Sequence, residues 1–338
     1  MKHLYIYMIL LFQFSAVLQA QTSLERKDLL SKADSVAHRY QHHPINDLRL
    51  LAHKLTAPFG EDFLKYRAIY TWVSNNITVD YKTYQLNEIK RKKIAGNEQL
   101  QQQWNEEISR IVFANLLHHR RTLCTGYAYL VQQLCSFAQI KAVIINGFGR
   151  SSLILPKDSR VPNHSWNAIQ IDGSWFMSDA TWSSGYYDKR NDLFVKQFDD
   201  TYFLIEPTQF LFDHFPLDES QAYTDECGTI SEFLEGPVTY RAIFKRNINL
   251  LQPSTLHNEV LMGEFFTITL KSSQIMNADK IKLKTRHRKL QTEVQQLEDG
   301  RLRLSWMPTK KGVFDIHLLI EDEYIATYTV KVTADRVE

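Results

Sequence analysis

The sequence predicts an α+β protein in two parts: a helix-rich core carrying a short antiparallel sheet, then a small all-β, sandwich-like domain. Three observations predict it. Apolar residues recur at helical spacing through the first 140 residues. Two strand-length runs, His164–Ile171 and Ser174–Ser178, flank an Asp172-Gly173 dipeptide that suits a two-residue hairpin turn. From Glu264 onward the helical period gives way to short runs separated by turn residues. A chain of 338 residues is long enough for two modest cores. The boundary is placed near residue 245, giving a first domain over 21–245 and a second over 246–338.

Taken in order, Leu24–Tyr40 carries Leu29, Leu30, Ala33, Val36 and Ala37 at helical spacing, and Leu48–Leu55 reads as a second helix ended by Pro58 and Gly60. Glu61–Asn75 is an amphipathic helix with Phe63, Leu64, Ala68, Ile69, Trp72 and Val73 on one broad stripe. Lys82–Trp104 is polar and holds the basic run Lys90–Lys93, read as a solvated loop or helix face because no aromatic residues interleave it. Glu106–His118 reads as a helix, the run after Cys124 as a buried helix, Lys141–Gly147 as a buried strand and Ser151–Pro162 as a polar loop. In the second part, Phe265–Leu270, Lys280–Lys284, Leu290–Val294, Leu302–Trp306, Val313–Ile320 and Ile325–Val332 read as strands, with turns at Asp299-Gly300 and Lys311-Gly312.

Composition sets limits on function. The apolar fraction is 44%, the charged fraction 23% and the net charge +2, so nothing draws the chain to nucleic acid. Lys2 and His3 precede the apolar run Leu4–Phe12, and Ala20 stands before Gln21, a pattern that reads as a cleavable signal peptide over 1–20 rather than an uncleaved anchor. No cysteine follows it to take a lipid, and no later segment is long and apolar enough to span a membrane. A secreted or periplasmic protein is expected. The chain has three cysteines, Cys124, Cys135 and Cys227. An odd count leaves at least one thiol free; Cys135 and Cys227 either pair or are both plain buried thiols, the second reading being preferred.

The chemistry concentrates in three places. Cys124 precedes Thr125, Gly126 and a helical run, and a thiol at a helix start meets N–H groups and dipole charge that favour thiolate. Thr125 and Gly126 are candidates for substrate contact, their backbone amides being natural donors to an oxyanion. His164 starts one strand of the hairpin and Asp179 ends the other, eight residues before the turn and six after it in the sequence. Cross-strand neighbours have Cβ atoms about 4.5–5.5 Å apart, which suits a carboxylate orienting an imidazole. Taken singly, Cys124 reads as core, His164 as a surface residue and Asp179 as a turn former. Together they read as nucleophile, base and orienting acid. The pairs His42-His43 and His118-His119 lack metal-ligand spacing and no calcium loop is visible, so neither a metal nor another cofactor is expected.

Leu123-Cys124-Thr125-Gly126-Tyr127-Ala128, His164-Ser165-Trp166-Asn167 and Trp175-Phe176-Met177-Ser178-Asp179-Ala180-Thr181-Trp182 resemble, in this order, the motif blocks of the transglutaminase-like superfamily. Ala68-Ile69-Tyr70-Thr71-Trp72-Val73 resembles the helix before that core. Tyr202-Phe203-Leu204, Pro207 and His214-Phe215-Pro216 resemble a segment in its kyphoscoliosis-peptidase and fungal cytokinesis-protein branch. The resemblance covers about residues 61 to 220. It implies a papain-like core, a central helix bearing the cysteine against an antiparallel sheet, and acyl transfer through a thioester on a protein or peptide substrate. Trp166 and Trp104 are further candidates for substrate or oxyanion contact. Three functions fit: a cysteine peptidase or amidase, which is preferred, a crosslinking transglutaminase, and a binding or scaffold protein that kept the fold.

Overall fold

The computed structural model describes residues 27–151, 162–188, 190–272 and 277–334. The segment read as a signal peptide and most of the segment read as a Ser151–Pro162 loop lie outside the described residues. The fold is α+β with a β-sandwich part. Two compact units form. One runs to Val143 and adds Ile169–Ser174 and Asp179–Asp199; the other takes Ile144–Ala168, Trp175–Ser178 and the chain from Asp200 on.

The first unit is helical. Helix α1 covers 27–39, α2 Leu48–Thr56, α3 Asp62–Asn76, α4 Tyr81–Lys93, α5 Glu98–His119 and α6 Cys124–Phe137. Helix α3 packs against α2 and α6 and is buried on nearly every side, Tyr66, Arg67, Tyr70, Thr71 and Ser74 included. The sequence reading assigns it one apolar stripe. The difference lies in its polar residues, which have partners and so tolerate burial. Arg67 makes a bidentate pair with Asp34 on α1 at 2.7 and 2.8 Å, Thr71 donates to the same carboxylate at 2.6 Å, and the Trp72 indole donates to the Tyr40 carbonyl at 2.8 Å. The segment read as a polar loop or helix face is α4 and the start of α5. The run Lys90–Lys93 occupies the last turn of α4, where the negative end of the helix dipole favours cations.

Strands β1, Thr78–Val79, and β2, Arg121–Thr122, form a short parallel pair, Thr78 facing Arg121 and Val79 facing Thr122. Helix α5 ends at Arg120 in a left-handed conformation, φ 51°. The Arg120 guanidinium donates to the carbonyls of Gln41 at 2.8 Å and His43 at 2.7 Å. This tight exit and the parallel pair deliver the chain to the start of α6.

A four-stranded sheet follows, built from β3 (Ala142–Gly149), β4 (His164–Ile171), β5 (Ser174–Ser178) and, later in the chain, His214–Pro216, in the order β5-β4-β3 with His214–Pro216 beside β3. The Asp172-Gly173 turn joins β4 to β5 with both φ values positive, 49° and 85°, the backbone that a two-residue hairpin demands. Between β5 and His214–Pro216 come helix α7 (Ala180–Ser183), the hairpin of β6 (Gly185–Asp188) and β7 (Leu193–Lys196), and helix α8 (Pro207–Phe210). His214–Pro216 is strand β8, antiparallel to β3 with Gly149 opposite His214 and Phe148 opposite Phe215.

Beyond α9 (Ile230–Glu235), β9 (Val238–Thr239) and α10 (Ala242–Lys245), the chain forms two sheets. One orders β10 (Ile248–Gln252), β12 (Phe266–Ser272), β15 (Arg301–Trp306) and β14 (Glu293–Gln296) as β10-β12-β15-β14. The other orders β11 (His257–Leu261), β17 (Glu323–Thr333), β16 (Gly312–Ile320) and β13 (Ile281–Lys284) as β11-β17-β16-β13, with β9 on β17. Ile268, Leu270 and Leu304 from the first sheet and Leu283, Ile316, Leu318 and Val330 from the second are fully buried, the alternation of a two-sheet core. Phe266 meets Tyr328 edge-on at 5.9 Å. The six strands read from the sequence form, each shifted by a few residues at most. Strands β9, β10 and β11 are additional.

Candidate active site

Cys124 is the first residue of α6 and is half-buried. Its position is set from below. Gly126 has no room for a side chain: a Cβ there would sit 1.9 Å from the Thr122 hydroxyl oxygen and 2.8 Å from the Thr122 Cβ, so glycine lets the helix start close against β2. The amides of Gly126 and Tyr127 both turn back to the Leu123 carbonyl, at 3.0 and 3.2 Å. No side chain caps this end of the helix, and the first amides of a helix have no carbonyl within it to meet. The Gly126 N–H is therefore engaged, while exposed Thr125 stays a candidate donor. The buried Tyr127 hydroxyl donates to the Ile77 carbonyl at 2.7 Å, fixing α6 to the end of α3.

The Tyr84 phenol on α4 is pushed up to about 12, first by burial and then by the neighbouring Glu88, Tyr81 and Cys124. Nothing in the sequence singles it out. The other cysteines differ. All three are free thiols. Cys135 is fully buried and burial raises its pKa; Cys227 is half-buried rather than a core residue, its thiol also raised by burial.

Asp179 is buried, 1% exposed, directly after β5. One oxygen, Oδ1, accepts from the amides of Thr181 at 2.8 Å and Trp182 at 3.1 Å and so starts α7. Its backbone carbonyl accepts from the Tyr70 hydroxyl at 3.0 Å, and that hydroxyl shares a further bond with Ser183 Oγ at 2.7 Å. The turn-forming role considered for Asp179 is thus real, and it uses one carboxylate oxygen.

His164 opens β4. The Asn163 side chain exchanges bonds with the backbone of Gly149 at 2.7 and 3.0 Å, and the Ser165 hydroxyl donates to Asn146 at 2.7 Å, which fixes the strand's register at the histidine. Trp166, two residues on, is buried among Phe210 and His214. Its indole N–H has no acceptor among the described residues. Trp104 differs: it lies on α5 in a cluster with Ile94, Ile108, Val112 and Leu123, and its indole donates to Asn87 at 2.9 Å. That donor is engaged, so Trp104 is a packing residue here and not an oxyanion donor.

A histidine that sequence reasoning assigned no role completes the picture. His214 on β8 has its ring 5.3 Å from that of His164. The only sequence signal for His214 is its place in the His214-Phe215-Pro216 segment.

No family model matches the chain. Among curated proteins, mouse (Mus musculus) kyphoscoliosis peptidase is 24% identical over 213 residues, covering 62% of this chain and 29% of that protein. The Lim and transglutaminase domain protein ltd-1 of Caenorhabditis elegans is 27% identical over 139 residues, covering 37% of this chain and 19% of that one. The chain is similar to proteins of the transglutaminase-like superfamily. It spans less than a third of the length of these relatives. A solved structure described as a TGase aligns with 47% of this chain and 34% of its own length at 15% identity and a TM-score of 0.26.

Proposed function

We propose that the chain is an exported cysteine-dependent acyl-transfer enzyme, a peptidase or amidase in which Cys124 is the nucleophile, His164 the base and Asp179 the residue that orients the base. The observation that carries this reading is Cys124 as the first residue of a helix that no side chain caps, in a chain whose Cys, His and Asp follow the order of the transglutaminase-like motif blocks. In this mechanism His164 takes the thiol proton and Cys124 attacks the amide carbonyl of a peptide or protein. Amides at the start of α6 stabilise the tetrahedral oxyanion, and the proton passes from His164 to the leaving amine. Water then attacks the thioester, His164 acting again as base, and the acid product leaves with the thiol restored. Hydrolysis is preferred over transfer to an amine because the more extensive of the two matches is with a protein named a peptidase. Export rests on the leader pattern at 1–20.

The test is a product balance. The full chain is incubated with a peptide library and with a glutamine-bearing peptide, each with and without a millimolar primary amine, and products are identified by mass spectrometry. Cleaved or deamidated peptide at unchanged yield in the presence of amine is the expected result. Amine-conjugated product in excess of hydrolysed product would make the enzyme a transglutaminase. No Cys124-dependent product under any condition would contradict the enzymatic reading.

A further inference from the structure

A cavity of about 430 Å³ is lined by Asp80, Asn115, His119 and Arg121. Its place relative to Cys124 follows from the backbone. The Asp80 amide donates to the Thr122 carbonyl at 2.9 Å, two residues before Cys124, and Arg121 stands on β2 three residues before it. Three residues of chain reach at most about 11 Å, so the cavity adjoins the candidate nucleophile. Asn115 and His119 come from successive turns at the end of α5.

The lining divides into engaged and unengaged groups. Asp80 Oδ1 accepts from the Thr83 amide at 3.2 Å, and Oδ2 accepts from the Thr83 hydroxyl at 2.7 Å and the Asn115 side-chain amide at 2.8 Å. Three donors leave this carboxylate little capacity for a ligand. The two adjacent arginines divide in the same way. Arg120 donates to the carbonyls of Gln41 and His43. Arg121 is exposed, and among the described residues its guanidinium makes no ion pair or hydrogen bond, not even with Asp80 in the same cavity. The His119 ring makes no hydrogen bond among them either.

What the cavity offers is therefore a planar, positively charged fork of N–H donors with an imidazole as a second contact. That fork matches the two oxygens of a carboxylate. The fixed charge of Asp80 repels a phosphate dianion more than a singly charged carboxylate, which favours the carboxylate. A solvated arginine on a convex surface would need no ligand; this one lines a cavity beside the start of α6.

We propose that this cavity binds a carboxylate of a peptide substrate, held by Arg121 with His119 as a second contact, roughly three residues from the carbonyl that Cys124 attacks. The inference rests on the reading of Cys124 given above and narrows its substrates to acidic peptides. An extended peptide advances about 3.3 Å per residue, so that number of steps spans the stretch from Cys124 to Arg121. The carboxylate belongs to an Asp or Glu side chain or to the C-terminus of the peptide.

The experiment uses the full chain in two forms, wild type and Cys124→Ala, each alone and combined with Arg121→Gln, Arg121→Glu or His119→Gln. The probes are matched pools of short peptides. In one pair a single Glu or Gln is walked along an amidated peptide; in the other a neutral peptide ends in a carboxylate or an amide. Binding to the Cys124→Ala form is measured by affinity selection and mass spectrometry, kcat and KM with the wild-type form, and folding by thermal unfolding. Carboxylate peptides should bind roughly tenfold more tightly than their amide counterparts. Arg121→Gln should erase that difference and unfold at the wild-type temperature, because its guanidinium has no partner to lose. In turnover it should raise KM about tenfold and leave kcat near wild type, the mark of a contact away from the reacting bond. Arg121→Glu should reverse the preference, and His119→Gln should reduce it. A preference within the first pair of pools assigns the ligand to a side chain, and one within the second assigns it to the C-terminus; either supports the site. Equal binding of carboxylate and amide pools overturns the proposal, as does a carboxylate preference that survives in Arg121→Gln. If that variant does not fold, an undiminished preference in Arg121→Lys, which keeps the charge but lacks the fork, overturns it. An Arg121-dependent preference without any Cys124-dependent product supports this site while contradicting the enzymatic reading, so the two failures are distinguishable.

Discussion

Replacing Cys124 with alanine is expected to abolish amide cleavage and acyl transfer while leaving far-UV circular dichroism and the unfolding midpoint close to wild type. The packing of α6 comes from Gly126 against Thr122 and from buried Tyr127, Leu130, Val131 and Leu134, not from the sulfur. Loss of one half-buried sulfur therefore costs little structure. It removes the atom that forms the thioester in the proposed mechanism, and where nucleophile and base act as a unit, deleting one lowers turnover by the order of 10⁶-fold. Turnover within tenfold of wild type in a folded Cys124→Ala protein would remove Cys124 as nucleophile and leave the fold's function elsewhere.

The second large effect is expected at Asp179. Asparagine retains a carbonyl oxygen, which can go on accepting from the Thr181 and Trp182 amides as Asp179 Oδ1 does. Asp and Asn are comparable at helix starts, so Asp179→Asn should fold normally. What it lacks is the second oxygen and the charge that stabilises an imidazolium. Its NH₂ also presents a donor where, in the proposed mechanism, His164 needs an acceptor. A rate loss of up to about 10⁴-fold is expected, as for a base left in the wrong tautomer. Asp179→Ala should combine that loss with about 1 kcal/mol of lost stability from the missing cap. Near wild-type turnover in Asp179→Asn would make the residue a cap only and reduce the machinery to a Cys–His pair.

What could be read from the sequence follows from how local each feature is. The β4–β5 hairpin is set by one dipeptide, Asp172-Gly173, whose positive φ values few other residues accept. Helix α3 shows its apolar residues in the sequence but not its burial on all sides, because that depends on Asp34, 33 residues before Arg67. Strand β11, with the weak signal His257-Asn258-Glu259-Val260-Leu261, exists through its parallel pairing with β17, some 70 residues away. Trp104 looked available as a donor until Asn87, 17 residues earlier on the neighbouring helix, met its indole. Asp213 and His214 are adjacent in the chain, yet only the placement of β8 beside β3, with His214 opposite Gly149, brings this pair toward His164.

Whether Cys124 is an activated thiol is decided by competitive alkylation of the native chain. Limiting iodoacetamide at pH 6 is followed by denaturation, tryptic digestion and quantification of label on Cys124, Cys135 and Cys227. All three thiols are free, and burial raises the pKa of Cys135 and of Cys227. Cys124 should carry nearly all the label, at a rate at least tenfold above that of a simple thiol with an ordinary pKa of about 8.5. Label shared equally with Cys227, or found on Cys227 first, would contradict it.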